Sequence, residues 1–165
     1  LSLHDALPIS CRLGNSGGEG ILRVTGGRAE FVKDIILAMD AGCTGTVELA
    51  GGTLSCHNLY AWTSPATGYS RVLFNGGVFR PTGTVLNNDF DEVKIGAAPA
   101  IIDTALAKDG LLTLSAVLTG ADASDGGLVK AGTGTLAVTS TQAYSGPTVV
   151  SPGAIVSAEA AGRLP

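Results

Sequence analysis

Three Gly-Gly pairs stand at a fixed interval, Gly26-Gly27, Gly51-Gly52 and Gly76-Gly77, with 51 − 26 = 25 and 76 − 51 = 25. Around them the segments ILRVTGGRAEF, TVELAGGTLSC and RVLFNGGVFRP align without gaps. Apolar residues alternate before each pair, as Leu22 and Val24, Val47 and Leu49, Val72 and Phe74. They alternate again after it, as Ala29 and Phe31, Leu54 and Cys56, then Phe79, with Pro81 breaking the pattern. Alternation of period two marks a half-buried strand, and paired glycines let the backbone turn sharply between two such runs. Each unit therefore reads as strand, Gly corner, strand. The second half repeats as well: KDIIL (33–37) aligns with NLYAW (58–62), which sets Trp62 against Leu37, and a Gly-rich or Pro-rich return follows each.

A Gly-Gly pair also closes a two-residue hairpin, and hairpins packed as a β-sandwich would show the same alternation. The constant register favours the other arrangement, because stacked coils place each inward aliphatic over its counterpart and bury it without a second layer. The spacing predicts an all-β chain, a right-handed parallel β-helix (β-solenoid) with coils of about 25 residues. Six such coils at a strand spacing of about 4.8 Å would make a rod about 30 Å long. After the polar stretch NNDFDE (87–92) the 25-residue register is lost, but β-like runs separated by Gly, Asp and Ser continue, with Leu112, Leu114, Leu136 and Val138 alternating.

Composition agrees with many short buried strands. The chain has 165 residues with 24 Gly, 45% hydrophobic and 15% charged residues, which argues against disorder, and its glycines lack the triplet period of collagen. The net charge of −4 leaves no broad basic footprint for nucleic acid, and no uncharged apolar run approaches the roughly 18 residues of a membrane span. The only Met is Met39, so the chain reads as a fragment or processed product. LSLHDALPIS (1–10) resembles a translated sequencing-adapter remnant and is set aside from the fold, His4 with it. The remainder divides into coils with Gly-Gly corners (11–86), irregular coils with a polar insertion (87–125), a distinctive repeat (126–158) and a short end (159–165). Nothing at Leu13 or at residues 162–165 reads as a solenoid cap, so the isolated chain is expected to fray or aggregate at its open edges.

The distinctive repeat is GGLVKAGTGTLAVTSTQAYSGPTVVSPGAIVSA. It resembles the passenger-associated transport repeat, also called the autotransporter-associated β-strand repeat, at Gly127, Leu128, Lys130, Gly132, Gly134, Leu136, Tyr144, Gly146, Thr148, Val150 and Gly153. Ala154-Ile155 and Ser140-Thr141 depart mildly from the family pattern. The resemblance implies a secreted, β-helical surface protein of a Gram-negative bacterium, attached to the outer membrane or released, whose repeat assists export or folding of the passenger. Read physically, Gly132 and Gly134 flank a corner, Tyr144 covers a corner with its hydroxyl in water, Pro147 sets the start of the last strand, and Lys130 points outward.

Chemistry-bearing residues are few. Cys11, Cys43 and Cys56 have no zinc-site spacing. Cys56 falls in an inward register, Cys43 in a return where it is expected to be exposed, and a Cys43–Cys56 bridge is an open alternative. His57 is expected at the surface, pointing away from Cys56. Asp89, Asp91 and Glu92 offer oxygen ligands but lack a calcium-binding pattern. Asp103 sits among aliphatics in AIIDTALA, where Thr104 and a turn would satisfy it. No nucleophile elbow, phosphate loop, dinucleotide fingerprint or HExxH occurs, and no cofactor is expected.

Three functions remain in view. The first is a non-catalytic stalk or adhesive passenger, whose partners are neighbouring coils of a longer chain and a surface glycan or host-cell ligand. The second is the substrate-holding part of a secreted polysaccharide-active β-helix enzyme. The third is a sugar-stacking face formed by Tyr60, Trp62 and Tyr69.

Overall fold

The computed structural model describes residues 10–62, 68–87, 89–157 and 164–165. Strands run in chain order as β1 (Cys11–Leu13), β2 (Glu19–Glu30), β3 (Ile35–Leu37), β4 (Thr44–Cys56), β5 (Leu59–Ala61), β6 (Tyr69–Phe74), β7 (Val78–Pro81) and β8 (Val85–Leu86). They continue as β9 (Glu92–Ile95), β10 (Ala100–Asp103), β11 (Leu111–Leu114), β12 (Thr119–Gly120), β13 (Leu128–Ala131), β14 (Thr135–Val138), β15 (Thr148–Ser151) and β16 (Ala154–Ser157), with one 3-10 turn at Lys108–Gly110. Every strand pairing among the described residues is parallel. The result is a β-solenoid of about five coils.

The coils build three walls. The first half of β4, Thr44–Leu49, pairs with β6, and its second half, Thr53–Cys56, pairs with β7. One nine-stranded sheet thus folds over the Gly corners into two walls, with β9 and β12 continuing the first and β10, β13 and β15 the second. The seven-stranded sheet β1-β3-β5-β8-β11-β14-β16 is the third wall. Both β2 and β4 run through their glycine pairs unbroken, whereas β6 and β7 are separated by residues 75–77. Gly27 and Gly52 hold the same left-handed backbone, φ +66° and +65°, one coil apart.

Side chains of like register form columns inside the rod. Val24, Leu49, Phe74 and Ile95 stack behind the first wall. Ala29, Leu54, Phe79 and Ile102 stack behind the second, and Cys11, Ile35, Leu59, Leu86, Leu114 and Val138 behind the third. Leu49, Leu54, Phe74, Phe79, Leu86, Ile102, Leu112, Leu114, Leu136 and Val138 are wholly buried. Pro81 does not interrupt the alternation: it is buried at the end of β7, opposite Cys56.

The 25-residue period holds on the first two walls but slips on the third. Leu37 pairs with Ala61, not with Trp62, because four residues, 31–34, separate Glu30 from β3, whereas three, 56–58, separate its register partner Ser55 from β5. Asp34 Oδ1 fixes that shorter turn by accepting the Asn58 backbone N–H at 3.0 Å and the Asn58 side-chain amide at 3.1 Å. Trp62 consequently leaves the inward column and is 43% exposed. Beyond residue 87 the spacing ranges from 28 between Leu86 and Leu114 to 19 between Leu136 and Ile155.

The segment resembling an adapter lies outside the described residues except for Ser10, as do residues 158–163. Leu164, placed among residues with no capping character, packs partly buried against the core.

Candidate functional site

Polar side chains of the described residues are largely engaged in holding one coil to the next. Asp40 Oδ2 accepts the Ser16 backbone N–H at 2.7 Å across 24 residues. Asp91 Oδ2 accepts the Ser70 N–H at 2.7 Å and the Ser70 hydroxyl at 2.8 Å. Asp103 Oδ2 receives Arg80 Nε at 2.7 Å and a second guanidinium nitrogen at 2.6 Å, while its Oδ1 accepts the Ala105 N–H at 2.9 Å. The turn satisfies Asp103 as its sequence suggested, but the main partner is Arg80 of the adjoining coil; Thr104 turns its own hydroxyl to the Ala131 carbonyl at 3.3 Å.

Asp125 is the most heavily bonded of these carboxylates, and its sequence surroundings did not single it out. Oδ2 accepts the Ser145 N–H at 2.6 Å and the Ser145 hydroxyl at 2.8 Å, while Oδ1 accepts the N–H groups of Gly146 and Gly127, both at 2.9 Å. Burial alone would raise its pKa, but these hydrogen bonds outweigh burial and hold it below the ordinary 3.8. The stability it contributes is therefore full above that value and lost as pH falls through the lower folded value. Gln142, also buried, accepts the Leu118 N–H at 2.8 Å and donates to the carbonyls of Ala116 and Ser140 at 3.1 and 3.0 Å.

Lys130 overturns the outward placement. It follows Ile102 in the inward column of wall two and is wholly buried. Its Nζ donates to the Gly132 carbonyl and, at 2.8 Å, to the Pro152 carbonyl of the next coil. Burial draws its pKa below the ordinary lysine value, while Asp103 acts in the opposite direction. Gly132 and Gly134 lie in the corner between β13 and β14 as expected, and Gly153 approaches so closely that a Cβ there would strike Lys130 Nζ and the Gly134 carbonyl oxygen. Tyr144 is likewise buried, and its hydroxyl is not in water: it shares a 2.6 Å hydrogen bond with Thr148 Oγ1. Gly127, Gly146 and Thr148 meet where this coil adjoins the preceding one, with the Leu128 N–H donating to the Pro147 carbonyl at 3.0 Å.

All three cysteines are free. Cys43, expected to be exposed, is buried, with its thiol donating to the Asp40 carbonyl at 2.6 Å. Cys56 is buried as expected, and burial, reinforced by Asp34 and Cys11, pushes its thiol up to about 12 from the ordinary 9.0. A thiol whose folded pKa is raised stabilises the fold below its unfolded pKa and loses that contribution as pH climbs toward the folded value. Between pH 9 and 12 wild-type stability should therefore fall more steeply than that of Cys56→Ala, by about 1.4 kcal/mol per pH unit, in urea melts across that range. His57 is half-buried just beyond β4.

On the outer face of wall one, Glu92 Oε2 lies 3.6 Å from Arg71 Nε, Glu92 Oε1 lies 3.7 Å from Lys94 Nζ, and Arg23 pairs with Glu48. A cleft of about 410 Å³ opens beside them, lined by Phe90, Asp91, Glu92, Lys94, Val117 and Thr119 among others. It exists because β12 has two residues against four in β9, and the Leu118 N–H has been diverted to Gln142. Asp89 bonds Asn87 Nδ2 at 3.1 Å, so the acidic trio is divided among separate partners, and no cluster of three metal-binding side chains occurs among the described residues. Of the aromatic trio, Trp62 and Tyr69 are 43% and 42% exposed and Tyr60 is half-buried. No helix among the described residues is long and apolar enough to cross a membrane.

The comparisons return nothing. No family model, curated protein or solved structure matches this chain.

Proposed function

We propose that this chain is a non-catalytic structural segment of a secreted or surface-displayed, autotransporter-like β-helical protein of a Gram-negative bacterium, serving as stalk or passenger and in adhesion. The observation that supports this reading is the use made of the carboxylates: Asp34, Asp40, Asp91, Asp103 and Asp125 each hold backbone or side-chain donors of a neighbouring coil. A carboxylate saturated in that way is a poor proton carrier or nucleophile, because protonating it or moving it opens a coil contact. The motif in residues 126–158 adds the export role, and exposed Trp62 and Tyr69 supply rings on which a glycan can stack.

The mechanism is mechanical. Hydrogen bonds run along the rod, aliphatic columns hold the coils, and each finished coil is the template for the next, so folding from one end would draw the chain outward during export. Fused to a signal peptide and an outer-membrane barrel, the chain is expected to appear at the cell surface, and removing residues 126–158 should lower the displayed amount several-fold. Equal display without that repeat would contradict the export role.

The cleft at Glu92 and Lys94 favours a second reading, the substrate-holding part of a polysaccharide-active enzyme. Turnover of a polysaccharide panel that Asp91→Ala or Asp103→Ala abolishes would replace the first reading with this one. The first predicts no turnover, and Trp62→Ala should weaken binding on a glycan array.

A further inference from the structure

We propose, resting on the adhesive reading given above, that the cleft on wall one binds a neutral oligosaccharide laid across the strands, with Tyr69 as the stacking ring and Arg71, Glu92, Lys94 and Thr119 as the polar edge. The cleft lies within the rod: β6 and β4 continue the wall on one side of β9, and on the other Thr119 bridges onward to Ala143. It is a local widening of an otherwise regular wall. β6 and β9 pair through four residues, 71–74 against 92–95, whereas β9 and β12 pair through two. The Leu118 N–H, diverted to Gln142, draws the chain away from Glu92 and Val93 and leaves the space of about 410 Å³, within the range of roughly 300–1,000 Å³ for ligand pockets. Phe90 and Val117 give it apolar walls.

Polar groups converge on this space from three coils. Arg71 and Glu92 are register partners, as are Lys94 and Thr119, and the two-residue period puts all four on the outer face. The hydroxyl of Tyr69 bonds Glu92, which holds an exposed ring beside the cleft. Charge decides the class of ligand. Glu92 lies 3.6 Å from Arg71 and 3.7 Å from Lys94, and Asp91, already gripped by Ser70, adds the second carboxylate that balances the two cations. A polyanion or polycation gains nothing from so balanced a field. Sugar hydroxyls donate and accept at once, so they suit donors and acceptors set side by side, while the apolar face of a pyranose suits the Tyr69 ring. From β6 to β12 the site crosses three adjacent strands, about 10 Å at about 4.8 Å per strand, which gives it the length of about two linked sugar rings.

An array of neutral glucans, galactans, mannans and xylans beside polygalacturonate and sialylated glycans tests this on the whole chain. The protein should be retained by at least one neutral series and by neither anionic class. Tyr69→Ala, and Lys94→Met, which keeps the apolar stem, should each weaken that retention about tenfold with circular dichroism unchanged. Wild-type protein supplies a reading that needs no variant: the retained oligosaccharide should slow amide exchange over residues 90–94 and 116–120 and leave residues 128–138 as they were. If no neutral glycan is retained, the cleft and the adhesive reading fall together. Retention by the anionic glycans, protection confined to another part of the rod, or a neutral glycan whose binding only Trp62→Ala lowers would overturn the cleft and leave adhesion standing.

Discussion

Phe79→Ala is expected to cost about 3–5 kcal/mol, the range for removing a large aromatic from a packed interior. Phe79 is wholly buried in the column between Leu54 and Ile102, and its ring meets Phe74 edge-on, with centroids 6.4 Å apart and planes at 62°. Phe74 closes wall one and Phe79 opens wall two, so the pair fills the inside of a Gly corner. Truncation leaves a cavity that the strands above and below cannot close without breaking their ladders. Val32→Ala, at a position 81% exposed, should change stability by less than about 0.5 kcal/mol and serves as the reference in urea denaturation followed by circular dichroism. A Phe79→Ala loss below about 1 kcal/mol would contradict the stacked interior.

The second large effect separates two costs at the glycine corners. Gly27 and Gly52 share the left-handed conformation, but a Cβ at Gly27 would meet nothing within 4 Å, whereas one at Gly52 would stand 2.6 Å from the Gly26 carbonyl carbon and 2.7 Å from the Gly27 oxygen. Gly27→Ala should therefore cost about 1 kcal/mol, the conformational part alone. Gly52→Ala adds a clash with backbone that no rotamer relieves, for about 3 kcal/mol in all. The difference measures how closely one corner sits on the next, and equal losses at both positions would mean that the corners are not stacked.

Much of this architecture was legible because it is local and periodic. Alternation around each glycine pair identifies Leu49, Leu54, Phe74 and Phe79 as inward, and all four are buried. The departures lie where charge or turn length runs against periodicity. Leu128 and Lys130 are two residues apart in one strand, so they share a face; the lysine's charge suggested water, yet the carbonyls of Gly132 and Pro152 receive it inside. Trp62 went astray through a turn one residue shorter than its predecessor, a length that the alignment of residues 33–37 with 58–62 does not reveal. Cys43 is buried because the Asp40 carbonyl folds back on its thiol. Asp125 and Gln142 escaped notice because their partners, Ser145 and Leu118, lie 20 and 24 residues away. The signal available was an acidic residue directly before Gly126-Gly127, two positions ahead of the Gly127 N–H that it accepts.

Parallel stacking itself is tested most directly by paired cysteines in a background with Cys11, Cys43 and Cys56 replaced by alanine. Thr53 and Val78 are register partners on adjacent coils and lie on the outer face of wall two. Thr53→Cys with Val78→Cys should therefore oxidise rapidly to an intramolecular disulfide, whereas Glu48→Cys with Ser55→Cys should not. A hairpin closed by Gly51-Gly52 would bring residues 48 and 55 together instead. Rapid bridging of 48 to 55, with none between 53 and 78, would contradict the solenoid.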